Sequence, residues 1–110
     1  MNLARIKTYI GLAMRAGQCK CGDNACKAAM MKGEANVLLI NDSMSQGSRN
    51  RLVSTGDVCQ IPILHFPPDA DIGDWAGRPG SLCMTINDKG LADAIIKNYH
   101  SSEDVKQGVN

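Results

Sequence analysis

Residues 21–42, CGDNACKAAMMKGEANVLLIND, constrain this chain most, because they hold a whole helix-to-strand unit with its own punctuation. Gly22 opens a turn, and Asp23 is placed to cap a helix by accepting from the free amides of its first turn. Residues 24–32 are rich in Ala, Met and Lys, which lose little side-chain freedom on becoming helical. Gly33 then supplies the left-handed conformation that ends helices and that other residues avoid. Val37-Leu38-Leu39-Ile40 follows as an unbroken apolar run, the pattern of a strand covered on both faces. Asn41 and Asp42 mark where that strand is expected to surface. At the start of the helix the amides point outward, the dipole favours an anion, and Gly22 admits another backbone closely. Lys20 and Lys27 lie near it in sequence, so this turn is suited to holding a phosphate. A simple cap and turn explains the same residues without a ligand, and sequence alone favours that plainer account.

The rest of the chain alternates in the same way. Residues 3–16 read as a helix whose buried stripe is Leu3, Ile6, Ile10, Ala13 and Met14, capped by Asn2 and ended by Gly17. Residues 18–21 alternate as a short strand, with Cys19 and Cys21 on one side and Gln18 and Lys20 on the other. Residues 43–56 are polar and read as a third helix, with Ser45 as cap and Thr55-Gly56 as stop. Ile61-Pro62-Ile63-Leu64 is a second apolar run, and Pro62, lacking a ladder donor, puts it at a sheet edge. Pro67-Pro68 breaks the chain. Residues 69–75 suit a short helix with Ile72 and Trp75 inward, and Gly77-Arg78-Pro79-Gly80 must be a loop. Residues 82–86 form the last strand. Asp88 caps a final helix in which Leu91, Ala94 and Ile95 share a face. Helices alternating with apolar strands define a layered α/β domain. One domain over residues 1–100 is expected, with a polar, frayed tail over residues 101–110.

Composition excludes several functions. With only Tyr9, Phe66, Trp75 and Tyr99 as aromatics, a single-strand binder that stacks bases on rings is disfavoured. Net charge is +1, which argues against a general polyanion binder. The charge is polarised, however. Arg5, Lys7, Arg15, Lys20, Lys27 and Lys32 stand against Asp23 alone in the first 33 residues, so one basic face is possible. No segment is apolar and long enough to cross a membrane, and no signal peptide is expected. Five cysteines, an odd number in a chain that needs no disulfides, read as reduced thiols of a cytoplasmic protein.

No motif of catalysis or metal binding is complete. Cys19-x-Cys21 with Cys26 lacks the paired C-x-x-C ligands of a structural zinc site, and strand alternation already explains it. The thioredoxin-type C-x-x-C is absent, which argues against a redox role. Asp69-x-Asp71-x-x-Asp74 lacks the further ligands of a calcium loop. His65 and His100 have no nucleophile and orienting acid in a recognisable pattern, and there is neither a dinucleotide nor a Walker fingerprint. No cofactor, no metal and no enzymatic activity are expected. What remains are Gly22-Asp23-Asn24 and Gly77-Arg78-Pro79-Gly80. Side by side, helix amides with Asn24 and a Gly-rich loop with Arg78 would grip an RNA whose bases splay from a sharp bend.

The chain resembles the ribosomal protein family that includes L-seven-Ae and L-thirty-e, and within it the small bacterial YlxQ-type members. The likeness runs from Ile6 to Lys97. Its markers are Gly11-Leu12-Ala13-Met14-Arg15-Ala16-Gly17, the Gly22 turn, Lys32-Gly33, and Val37-Leu38-Leu39-Ile40-Asn41-Asp42-Ser43. They continue with Arg49-Asn50-Arg51-Leu52, Ile61-Pro62-Ile63 and Asn87-Asp88-Lys89-Gly90-Leu91-Ala92. The resemblance implies a three-layer α/β/α sandwich with a mixed, roughly four-stranded sheet. It also implies binding to structured RNA, typically kink-turns, in ribosomes or other ribonucleoproteins. In the family the grip comes from the start of the second helix and from the loop before the last strand. Here these are Gly22-Asp23-Asn24 and Gly77-Arg78-Pro79-Gly80-Ser81. Kink-turn binders commonly carry a Glu after the motif Asn and a Lys three positions later, where this chain has Ala25 and Ala28. Lys27 sits about 100° away around the helix. Each missing base contact is worth about 1–3 kcal/mol, so the fold carries over better than the kink-turn specificity.

Two readings follow. The first is a non-enzymatic RNA-binding protein in which Asn24 contacts a base, Gly22 and the helix start hold backbone, and Arg78 holds phosphate or stacks. Lys20 and Lys27 add salt-sensitive attraction. The second is a scaffold of the same fold that binds a protein or assembles with its own copies, as Ala25, Ala28 and the near-neutral charge suggest. An apolar patch across Met30-Met31 would favour the second.

Overall fold

A computed structural model describes residues 1–101. Nine elements follow one another among the described residues: α1 (Leu3–Arg15), β1 (Cys19–Cys21), α2 (Asp23–Met31), β2 (Val37–Asn41), α3 (Gln46–Val58), β3 (Ile63–Phe66), α4 (Ile72–Trp75), β4 (Cys83–Ile86) and α5 (Lys89–Tyr99). The expected tail lies, apart from Ser101, outside the described residues.

The four strands form one mixed sheet in the order β1-β4-β2-β3. β4 runs antiparallel to both neighbours, while β2 and β3 are parallel and joined by the α3 crossover. The apolar run 37–40 therefore lies in the middle, buried along its whole length. Its side chains alternate between two cores, as strand geometry requires. Val37 and Leu39 join Met84 and Ile86 beneath α1, α4 and α5, through Ile6, Ile10, Ile72 and Ile95. Leu38 and Ile40 join Cys83 on the other face, where α2 and α3 contribute Cys26, Met30 and Leu52. This is the three-layer α/β/α sandwich.

The scarce aromatics are spent on the first core. Phe66 is fully buried, with Trp75 and Tyr99 edge-on to it at 6.4 and 5.4 Å. The Tyr99 hydroxyl donates to the His65 carbonyl at 2.7 Å, tying α5 to the edge strand. Pro62 sits just before β3 and uses the ladder group it retains: its carbonyl accepts from the Leu38 amide at 2.9 Å.

Several local expectations are corrected. Leu3 is exposed, so the buried stripe of α1 is Ile6, Ile10 and Ala13. Asn41 does not surface. It is 2 % exposed, donates Nδ2 to the Ala70 carbonyl at 2.9 Å and accepts from the Ser43 amide and hydroxyl. One buried side chain thus fastens the 67–70 turn to the end of β2. Gly56 does not end α3. It is buried inside it, and a Cβ there would lie 3.0 Å from Ile63 Cδ1, so it lets the helix approach β3. The helix runs two residues further, to Val58, and the stop follows where Gln60 takes a left-handed φ of 59° and the Ile61 amide reaches back to the Gly56 carbonyl.

Candidate functional site

The start of α2 owes its form to Gly22 rather than to Asp23. Gly22 is the capping residue, at φ 96° and ψ 158°, a conformation closed to side chains. Asp23 is already the first helical residue and does not cap. Its carboxylate favours the dipole and accepts a thiol hydrogen bond from Cys83 at 3.5 Å. Among the described residues, α1, α3, α4 and α5 are capped by the side chains of Asn2, Ser45, Asp71 and Asp88. No side chain caps α2, so its first-turn amides remain open to a ligand.

The second stretch is built on α4. Gly77 ends that helix at φ 72°, and the chain folds back so that the Arg78 amide donates to the Gly73 carbonyl at 2.8 Å. The Ser81 amide closes a turn on the Arg78 carbonyl at 3.1 Å, with Gly80 at φ 89°. The loop lies directly on Gly73. A Cβ at that position would fall 2.6 Å from the Ser81 oxygen and 2.7 Å from the Arg78 oxygen. Nothing in the sequence marked Gly73, whose absent side chain is what the loop requires.

The sheet order joins the two stretches. β1 leads into α2 and β4 follows the loop, and these strands pair with Cys21 opposite Met84. The Gly22 amide donates to the Cys83 carbonyl at 3.2 Å. Gly22 and Asp23 consequently share a concavity of about 570 Å³ with Pro79, Gly80 and Ser81. Asn24 and Lys27 line the adjoining groove between α2 and α3, of about 490 Å³. Asp23 and Ser48 border both, making one continuous surface. Lys20 stands apart, lining another concavity with Gly33, Glu34 and Asn87. Gly77 and Arg78 do not line the shared concavity, but Arg78 lies near the Cys21 thiol.

The start of α3 is the part the sequence reading missed. Ser45 and Ser48 wall the first concavity, and Asn50 and Arg51 wall the second. The polar run from Ser43 to Arg51 was the available signal, but it reads equally as a solvated helix face. Arg49 is engaged with Asp42 at 3.5 Å, and Arg51 donates to the Ser48 hydroxyl at 3.2 Å. Among the described residues Lys20, Lys27 and Arg78 form no ion pair with a carboxylate. In the same terms, no group of three or more His, Cys, Asp or Glu is placed to hold a metal ion.

The chain is thus an α/β/α sandwich with a mixed sheet in the order β1-β4-β2-β3, and in it the start of the second helix faces the loop before the last strand. Two solved structures are similar to this chain in overall fold. One, of a protein with unknown function from Bacillus halodurans C, superposes with a TM-score of 0.82 at 18% identity, covering 89% of this chain and 99% of that one. The other, the Giardia lamblia 15.5kD RNA binding protein, superposes with a TM-score of 0.71 at 13% identity, covering 88% and 84%. In sequence, the chain is 24% identical over 91 residues to the RNA-binding protein YlxQ of Enterococcus faecium, covering 83% of this chain and 87% of that protein. No family model matches the chain.

Proposed function

We propose that this chain is a non-enzymatic RNA-binding protein that grips structured RNA between the start of α2 and the 77–81 loop. One observation carries the reading: the α2 start, which no side chain caps, faces Pro79-Gly80-Ser81 across a shared concavity. A phosphate fits the open amides and the positive end of the helix dipole. Gly22 and Gly80 let backbone approach closely, and Asn24, exposed beside them, offers a donor and an acceptor to a base edge. Arg78 reaches phosphate or stacks, and Lys20 and Lys27 add attraction that salt screens. Proteins named for RNA binding, at low identity to this chain, support the same reading.

Kink-turns on ribosomal or other structured RNA are the finer form of the proposal. Ala25 is half-buried and Ala28 exposed, so neither offers the acceptor or the cation that kink-turn binders commonly place there. Any kink-turn recognition must then come from Asn24, the helix amides and Arg78. The scaffold reading called for an apolar patch over Met30 and Met31. Met30 is buried in the chain's own core, leaving Met31 as the exposed large apolar side chain of α2.

The test is a titration with a kink-turn RNA and a straight duplex of equal length, at two salt concentrations. Tighter binding to the kink-turn at both concentrations is expected. The Asn24→Ala/Arg78→Ala double variant is expected to lose RNA retention while keeping its melting temperature. Unchanged retention in that variant would refute the site, and weak, salt-labile binding equal for both RNAs would refute the specificity.

A further inference from the structure

Cys19 and Cys21 lie on the same face of β1, and their sulfurs are 4.0 Å apart. Cys19 is buried against Met84, whose sulfur is 3.8 Å away, and Cys21 is half-buried at the end of the strand. We propose that these two thiols form a peroxide-sensitive pair that closes to a disulfide and thereby distorts the α2 start, an inference that rests on the RNA site proposed above. The pair is neither a C-x-x-C nor a structural bridge. It depends on two side chains that strand alternation puts on one face at an exposed sheet edge.

The chemistry is polarised between the two sulfurs. The Cys21 pKa is lowered to about 7, chiefly by the hydrogen bond from the Cys19 thiol and less by Arg78 and Ser81, against the opposing effect of burial. Cys19 is raised, by the same hydrogen bond and by burial. Cys21 is thus the attacking thiolate and Cys19 the resolving thiol. The Cys21 sulfur attacks one oxygen of a hydroperoxide. An S–O bond forms as the O–O bond breaks, and the departing alkoxide takes a proton from water. The Cys19 sulfur then attacks the sulfenic sulfur, the S–S bond forms, and the hydroxide released leaves as water with the Cys19 proton. Two thiols are oxidised by two electrons while the hydroperoxide is reduced to an alcohol and water, or, when it is hydrogen peroxide and the departing group is hydroxide, to two waters.

Geometry makes the bond reversible and gives it an effect. Residues two apart on a strand have Cα atoms about 6.6 Å apart, near the upper limit a disulfide spans, so closure strains the strand and favours reduction. β1 can buckle because it is an edge strand of three residues. Gly22, next to Cys21, sets the start of α2 and donates to the Cys83 carbonyl, so a pull on Cys21 is felt at the open amides. The competing pair, Cys26 and Cys83, has sulfurs 3.8 Å apart, but both residues are buried and the Cys26 thiol is raised.

The test treats the full chain with hydrogen peroxide and maps the products. Trypsin cuts after Lys20, so the expected disulfide appears as peptide 16–20 joined to peptide 21–27. In Cys26→Ser the same joined pair is expected, which excludes a Cys19–Cys26 bond. In Cys19→Ser, a sulfenic acid trapped on Cys21 by a 1,3-diketone probe is expected. A first product at Cys59, a Cys26–Cys83 disulfide or an intermolecular dimer overturns the assignment. Oxidation is expected to weaken kink-turn RNA binding about tenfold or more, as when one good base contact is lost, with recovery on adding dithiothreitol. The Cys19→Ser/Cys21→Ser variant should not respond. Equal binding before and after disulfide formation overturns the coupling. A reduced chain that binds no RNA overturns the function proposed above and the coupling with it, whereas the mapped disulfide is read independently of RNA.

Discussion

Substituting Gly73 by Ala tests how the 77–81 loop is held. Gly73 has ordinary helical backbone, so the change probes space and not conformation. The new Cβ would lie 2.6 Å from the Ser81 oxygen, 2.7 Å from the Arg78 oxygen and 2.9 Å from the Ser81 nitrogen, all of them backbone atoms. To reach the 3.4 Å at which ordinary contact begins, the Ser81 carbonyl must retreat by about 0.8 Å. The Arg78 carbonyl, 2.7 Å from the new Cβ, must retreat as well, and its movement strains the hydrogen bond from the Arg78 amide to the Gly73 carbonyl, 2.8 Å at present. Overpacking of this kind costs about 1–3 kcal/mol. The better helix propensity of Ala returns at most about 1 kcal/mol, and less in a helix of one turn. A net loss near 1–2 kcal/mol lowers the melting temperature of a domain of roughly this size by about 4–8 °C per kcal/mol. Because the displaced segment carries Arg78, Gly80 and Ser81, RNA affinity should fall as well. Thermal melting followed by circular dichroism, with RNA titration on the same preparation, measures both. An unchanged melting temperature would refute the packing argument. A lowered one with unchanged RNA affinity would show that RNA is held elsewhere.

Three further outcomes are expected. Asn41→Ala removes the partner of the Ala70 carbonyl and the Ser43 amide inside the protein, so chemical denaturation should show a loss of about 1–3 kcal/mol or more. A variant as stable as the parent would mean that the turn is held by other bonds. Thr85→Val replaces a fully buried hydroxyl that has no hydrogen-bond partner among the described residues with a methyl group of similar shape; a rise in stability of about 1 kcal/mol is expected, and a fall would mean that the hydroxyl is satisfied in solution. The alkylation rate of Cys21 by iodoacetamide, followed by peptide mapping, should rise with pH about a midpoint near 7, because the thiolate reacts and its protonated form does not. A midpoint near the ordinary thiol value of 9.0 would refute the hydrogen bond from Cys19 as a thiolate-stabilising contact.

Much of the fold was legible because its signals are local. A run of four apolar residues identified the central strand, and Asn2, Ser45 and Asp88 announced three helix starts that the structure places where expected. Local reasoning failed where a distant segment decided the outcome. Gly56 looks like a helix stop in a linear reading and Gly73 carries no signal at all, yet each is a small residue inside a helix where another segment comes close. Asn41 looks like the polar end of a strand, yet the 67–70 turn covers it and satisfies it. Asp23 looks like a cap because Asp is a good one, yet the left-handed φ at position 22 required Gly there and moved the helix start onto that residue.

For the candidate site, both stretches were identifiable from Gly, Asn and Arg in turn contexts, but their proximity was not. They lie more than fifty residues apart, and no periodicity encodes which strands become neighbours. The antiparallel pairing of β1 with β4 decides it, setting the Gly22 amide against the Cys83 carbonyl and the α2 start against the loop. The α3 crossover from β2 to β3 supplies the far wall, and Lys20, alternating with Cys19 and Cys21 along β1, lines a different concavity. By itself, the sequence determined which segments are helices, strands and turns, because propensity, capping and alternation act between residues a few positions apart. Only the tertiary structure decided which of them meet, because sheet order and the closeness of helix to loop follow from burying both faces of one sheet at once.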